Sequence, residues 1–167
     1  LMFDETNSAG APIDKAYAEL RAHFERAIEM MQIKGNSEVH RSFWSADEFA
    51  DYETWDIGNL DVSAAQTDDM LAGEYAREAL KRGLAIEQRL GTNPYKFGMI
   101  GATDSHTSLA TAEEDNFFGK HSGYEPNPER MSHPFMETDK GKIVGWQMVA
   151  SGLAAVWATE NTREAIF

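Results

Sequence analysis

Phe97-Gly98-Met99-Ile100-Gly101-Ala102-Thr103-Asp104-Ser105-His106 is a short apolar run that opens directly onto a carboxylate and an imidazole. The run 97–101 predicts a buried strand, because a few consecutive apolar residues bounded by a turn signal suit a strand covered on both faces. Residues two apart in extended chain share a face. Asp104 and His106 can therefore point the same way and bind one or two divalent metals. The competing reading is a polar turn in which Asp104 caps the backbone and His106 is merely exposed. If the metal reading holds, the two side chains lie within a few ångströms of each other at the carboxyl end of the strand.

Outward from this stretch, the same pattern recurs. Ile28-Glu29-Met30-Met31-Gln32-Ile33 is closed by Lys34-Gly35-Asn36, which predicts a second buried strand over 28–33. Just beyond it lie Glu38 and His40, again a carboxylate and an imidazole two residues apart. A charged loop with a lone histidine is the alternative there. Two such pairs, each at a strand end, form a convergent set, so Glu38 and His40 are expected to approach Asp104 and His106 from a neighbouring strand.

Helical spacing of Ala16, Leu20, Phe24 and Ala27 predicts a helix over 13–27, with Pro12 near its start. The clearest helix is 73–90, with Tyr75, Ala79, Leu80, Leu84 and Leu90 as its apolar face and Gly91 as its C-terminal stop. Residues 1–10 read as a loop, and 43–69 as a long loop with a short helix around 47–52. Residues 107–141 hold three of the five prolines and few apolar runs, which reads as a functional or mobile loop. A third strand is predicted over 153–157, and a last helix starts at Asn161 or Thr162. Alternating helices and strands indicate an α/β protein with a largely parallel sheet, whose ligands gather at the carboxyl ends of strands.

The 167 residues carry a net charge of −13 and are 42% hydrophobic. That is a globular composition, and its acidity argues against nucleic acid as a partner. With no cysteine, thiolate metal sites and cysteine nucleophiles are excluded, so any metal must sit on His and carboxylate groups. No run approaches the roughly 18 apolar residues of a membrane span. The opening Leu1-Met2-Phe3-Asp4-Glu5 lacks the regions of a signal peptide. Absence of cysteine fits cytoplasm and periplasm alike.

Three further features bear on chemistry. Lys120-His121, followed by Ser122-Gly123-Tyr124-Glu125-Pro126, can hold an oxyanion or donate a proton to a leaving group; a solvated loop is the alternative. Trp44, Phe49 and Trp55 either wall a pocket or pin their loop to the domain. His23 and His133 read as structural or surface residues.

Met99-Ile100-Gly101-Ala102-Thr103-Asp104-Ser105-His106 resembles the last metal motif of the PHP (polymerase and histidinol phosphatase) superfamily. The runs Lys34-Gly35-Asn36-Ser37-Glu38-Val39-His40, Asp47-Glu48-Phe49-Ala50-Asp51, Gly73-Glu74-Tyr75-Ala76-Arg77 and Ser108-Leu109-Ala110-Thr111-Ala112-Glu113-Glu114-Asp115-Asn116 resemble one bacterial branch of it, catalogued mainly as a domain of unknown function. The similarity covers almost the whole chain. It implies a distorted β/α barrel of TIM type and a cluster of two or three divalent metals, commonly zinc, manganese or iron. It also implies hydrolysis of a small anionic phosphate ester by a metal-activated water. By the same resemblance Asp104 and His106 are ligands of the final motif, while Glu38 and His40 match a branch-specific motif.

The superfamily opens with a His-x-His pair, and none occurs here. The expectation is therefore the carboxyl-terminal portion of a larger barrel, inactive alone. Its strands 28–33, 97–101 and 153–157 would be completed by the missing amino-terminal half or by a second copy. The alternatives are a non-catalytic ligand-binding or structural module with an incomplete metal site, and a sulfatase or carbohydrate-active hydrolase.

Overall fold

Helix α1 (Lys15–Phe24) starts where Asp14 accepts a hydrogen bond from the Tyr17 N–H at 2.8 Å, satisfying a first-turn donor. Its chain then turns into β1 (Ala27–Glu29), β2 (Met31–Gln32) and β3 (Gly35–Asn36). Further along the chain come α2 (Asp68–Leu71), α3 (Ala76–Leu90) and β4 (Gly98–Ile100). The remainder contributes β5 (Pro134–Thr138), β6 (Gly141–Val144), a 3-10 turn at Gly145–Met148 and α4 (Arg163–Ile166). The computed structural model describes residues 2–32, 35–52, 54, 56–59, 63–108, 115, 117–121, 127–149 and 153–167. Ile33, Trp55, residues 109–114, Asn116 and residues 122–126, all drawn on in the sequence reading, lie outside the described residues.

The barrel expectation is overturned. Strand pairing among the described residues consists of three separate two-stranded units, β1 with β4, β2 with β3, and β5 with β6, and only β1–β4 is parallel. The result is a small mixed α/β arrangement. The predicted strand 28–33 breaks at Met30: β1 pairs with β4 in the register Ile28↔Met99, while β2 folds back antiparallel on β3. Ile28 is buried, but Met99 and Ile100 are 49% and 45% exposed, so β4 is not the doubly covered strand its apolar run suggested. Residues 153–157 form no strand, and Leu153, Val156 and Trp157 face solvent. An apolar run becomes a strand only where a partner edge accepts its hydrogen bonds.

Other boundaries shift for local reasons. Residues 47–52 are turns, not a helix. The presumed loop 107–141 contains β5 and runs into β6, an antiparallel hairpin around Asp139-Lys140. Its turn signal, Asp139-Lys140-Gly141 between two apolar runs, was present in the sequence. Its Ile143 packs with Met148 as a small core joined by Ile57, Phe135 and Met136.

The main core lies where α1 and α3 meet. Phe3, Ile13, Ala18, Ile28, Ala76, Ala79, Ile86 and Tyr95 are buried together. Residues 1–10 are thus more than a loop: Phe3 sits edge-on to Tyr95 with centroids 5.6 Å apart, and its N–H donates to the Gly73 carbonyl at 2.8 Å. Burying such a side chain stabilises by about 2–3 kcal/mol.

Helix α1 turns a different face inward from the one predicted. Ala18 is buried while Leu20 and Phe24 are exposed, and Arg21 lies over the Tyr95 ring at 4.9 Å. The Arg21 guanidinium donates to the Tyr95 hydroxyl and to the Met2 carbonyl. Helix α3 ends as predicted at Gly91, whose φ of 77° is the left-handed conformation that glycine adopts without strain. Its inward face is Ala76, Ala79, Gly83 and Ile86, with Leu84 exposed. No helix among the described residues is long and apolar enough to cross a membrane.

Candidate functional site

Two clusters grow from the two carboxylate–imidazole pairs. The first begins where β4 ends. Asp104 has φ 51°, a left-handed conformation that costs most residues roughly 1–2 kcal/mol and that aspartate tolerates through local hydrogen bonds. Here that turn brings the pair into direct contact: His106 Nε2 is 3.0 Å from Asp104 Oδ1. The other carboxylate oxygen, Oδ2, is 2.8 Å from Lys120 Nζ. Asp104 and His106 thus adjoin at the carboxyl end of β4, as the metal reading required.

A distant segment closes the cluster. The His106 N–H donates to the Lys120 carbonyl at 2.8 Å, and Ser105 Oγ donates to the Gly119 carbonyl at 3.4 Å. This bridge sets the His106 and His121 rings at 4.8 Å, nearly perpendicular. Phe135, from β5, stands 5.7 Å from the His121 ring. Burial, with the nearby His106 and Lys120 charges, holds His121 below the ordinary imidazole pKa, so its neutral, proton-accepting form prevails at pH 7. His106 is 56% exposed and Asp104 21%, so the pair is open to a ligand from solvent.

The second cluster is tied into an ion-pair network on α3. Glu38 Oε1 receives Arg77 Nη2 at 2.5 Å and Nε at 3.0 Å, while Arg77 Nη1 donates to Asp47 Oδ2 at 2.6 Å. The same guanidinium lies over the Trp44 ring at 5.1 Å, and the Trp44 N–H donates to Glu78 Oε1 at 2.9 Å. Main-chain geometry fixes this loop to α3: the Ala76 and Arg77 N–H groups donate to the Ser37 and Glu38 carbonyls. These bonds satisfy first-turn donors that no side chain caps.

His40 is buried against Tyr75 at 5.3 Å and Phe43 at 6.1 Å. Its Nδ1 accepts the Ser42 N–H at 3.2 Å, which leaves the proton of the neutral ring on Nε2, facing Asp56 Oδ2 at 4.0 Å. Among the described residues, no three His, Asp or Glu side chains converge as a metal site, so Glu38 and His40 do not join Asp104 and His106 there. Of the loop aromatics, Trp44 packs on α3 through Glu78, whereas Phe49 is exposed.

Sequence reasoning missed Arg77, the hub of the second cluster. It lies in the first turn of α3, where only tertiary contact reveals two carboxylates. It also missed Phe135, whose neighbourhood to His121 depends on the hairpin.

The family model described as Protein of unknown function (DUF3604) matches residues 1–167. The chain belongs to the DUF3604 family. No curated protein and no solved structure matches it. The chemistry open to this DUF3604 domain therefore has to be read from the Asp104 cluster itself: an accessible carboxylate–imidazole pair, a neutral histidine beside it and a buried ammonium behind it.

Proposed function

We propose that this DUF3604 domain belongs to the PHP superfamily and serves a metal-dependent hydrolase of small phosphate esters, with Asp104 and His106 as a ligand pair. The observation that carries the reading is the 3.0 Å separation of Asp104 Oδ1 and His106 Nε2. Ligand atoms about 2.0–2.1 Å from a zinc or manganese ion lie about 2.9–3.4 Å from each other in octahedral and tetrahedral sets. The pair fits as two neighbouring corners of such a set. Its hard oxygen and imidazole nitrogen suit zinc, manganese or iron. The residues present supply part of a coordination sphere, with water as the natural further ligand.

A bound divalent ion supplies acidity to water and stabilises charge on the phosphoryl oxygens. This chain's own groups do the rest. Asp104 and His106 orient the centre. Neutral His121 accepts the proton that water releases as its oxygen bonds to phosphorus and the ester oxygen departs, then returns it to the alkoxide to give the alcohol.

A second reading, a ligand-binding module without chemistry, is favoured by one observation: no third His, Asp or Glu joins the pair among the described residues. Metal content by mass spectrometry and turnover of p-nitrophenyl phosphate separate the two. For the hydrolase that this domain serves, stoichiometric metal with metal-dependent turnover is expected. Metal without turnover favours the module, and a protein that retains no metal removes the hydrolase reading.

A further inference from the structure

Among the three strand pairs, one edge stands unguarded. In β4 the Gly98 N–H donates to the Arg26 carbonyl at 2.9 Å, and the Ile100 carbonyl receives the Met30 N–H at 2.8 Å. Residues 98 and 100 thus bond toward β1. Successive residues of a strand alternate edges, so the Met99 N–H and carbonyl face the other way. No strand among the described residues pairs there. Edges of natural sheets are protected by charge, proline or a bulge. The β5–β6 hairpin carries Pro134, Glu137 and Lys142 together with a register shift. Residues 97–101 hold no charge and no proline, and β4 pairs with β1 without a bulge.

One segment of the chain matches this edge. Leu153-Ala154-Ala155-Val156-Trp157 is also an uncharged run of strand length. It forms no secondary structure, and Leu153, Val156 and Trp157 are 78%, 64% and 100% exposed. No main-chain hydrogen bond ties it to another described residue. The flanking charges give the pairing a direction. With Ala155 opposite Met99, an antiparallel alignment carries Glu160 toward Lys96, its opposite charge. A parallel one sets Glu160 opposite Asp104, and like charges across a strand pair oppose it.

We propose that residues 153–157 add as an antiparallel strand to the outer edge of β4 in a second copy of this chain, each copy supplying one segment and one edge. Main-chain hydrogen bonds carry the affinity, as in other strand additions. An uncharged edge gives a charged partner nothing to select, whereas the two uncharged surfaces of this chain cover each other without desolvating its acidic groups. Exchange in both directions covers Met99, Ile100, Leu153, Val156 and Trp157 of each copy. At on the order of 100 Å² for each such side chain, the contact reaches the roughly 1,000 Å² of a specific interface.

Sedimentation of the full chain tests the assembly. A dimer of twice 18.6 kDa is expected. Met99→Lys on the edge and Val156→Lys on the segment should each raise its dissociation constant about ten-fold or more, because a charge on an edge opposes pairing. Val156 belongs to neither buried core, so Val156→Lys decides the matter even if Met99→Lys does not fold. The chain has no cysteine, which permits a second measurement. Met99→Cys chains mixed with Ala155→Cys chains and oxidised with diamide should give a disulfide-linked dimer in several-fold excess over either variant alone. A chain that stays at 18.6 kDa at every concentration, a dimer untouched by Val156→Lys, or equal yields from the mixture and the single variants overturns the proposal. So does a doubly substituted Met99→Cys, Ala155→Cys chain that closes its own disulfide as a monomer, since the segment then covers its own edge.

Discussion

Glu38-x-His40 and Asp104-x-His106 are the same motif at the ends of strands, yet the fold sends them to opposite fates. After β3 the carboxylate turns to Arg77 and Asp47's ion-pair network, and the imidazole turns to Tyr75 and Asp56. After β4 the carboxylate and imidazole meet at 3.0 Å. The difference lies in the backbone and in the neighbours. Asp104 takes a left-handed φ that folds its side chain toward His106, whereas Glu38 faces a guanidinium on an adjacent helix. Two Arg77 nitrogens converge on the single oxygen Oε1 of Glu38, and such charge-assisted bonds tie that carboxylate to α3 rather than to His40. The comparison teaches that a two-residue spacing offers a site, and the third partner decides whether it remains one.

The largest expected effect lies at the open pair. Asp104→Asn and His106→Ala should each lower metal-dependent turnover of an aryl phosphate at least 100-fold, about 2.7 kcal/mol of transition-state stabilisation. Glu38→Gln should change Zn²⁺ affinity by less than three-fold in a calorimetric titration. Equal losses at Glu38 and Asp104 would erase the contrast between the clusters.

Next comes the helix on which the closed cluster stands. A Cβ at Gly83 would meet Asn93 Oδ1 at 2.2 Å, and Asn93 Oδ1 also accepts the Tyr95 N–H. Gly83→Ala should therefore destabilise the fold by about 1–3 kcal/mol despite the better helix propensity of alanine, seen as a lower thermal midpoint. Its folded fraction should keep the Zn²⁺ affinity of the parent, because the Asp104 cluster does not rest on α3.

Arg77→Met sharpens the same contrast with a smaller effect. The guanidinium is 31% exposed and its partners Glu38 and Asp47 are 47% and 23% exposed, so solvent screening limits the loss to about 1 kcal/mol. The difference between parent and variant in a denaturant titration should shrink as salt rises.

The smallest effect is a pH slope. The Phe49 N–H and then Arg77 hold the Asp47 carboxyl below its ordinary value of 3.8. Burial pushes Glu78 upward, but its bonds from Lys81 and Trp44 together leave it below its ordinary 4.5. A carboxylate whose pKa is lower folded than unfolded stabilises the fold above the unfolded value, and that contribution is lost as pH falls through the folded one. Stability should thus decline as pH drops below about 4.5, measured by urea midpoints, and Arg77→Met should flatten the slope. An unchanged slope in Arg77→Met would mean that the Phe49 N–H alone holds Asp47 down and that Arg77 contributes nothing.

What the sequence determined by itself was local. The 3.6 period and Gly91 marked α3; the apolar runs at 28–33 and 97–101 located β1 and β4, and these do pair in parallel. Asp104, His106, Lys120 and His121 were singled out by residue type, and the fold gathers all four. Tertiary structure decided what those segments do. Whether 153–157 pairs, which face of α1 turns inward, and whether the strands close into a barrel depend on partner edges and layers that no local window contains. Lys120 shows the same limit at the level of one side chain. In the sequence it is a loop lysine suited to an anion. In the fold its ammonium is buried on Asp104, because a charge removed from water must find its counter-ion, and only the folded chain says where that counter-ion stands.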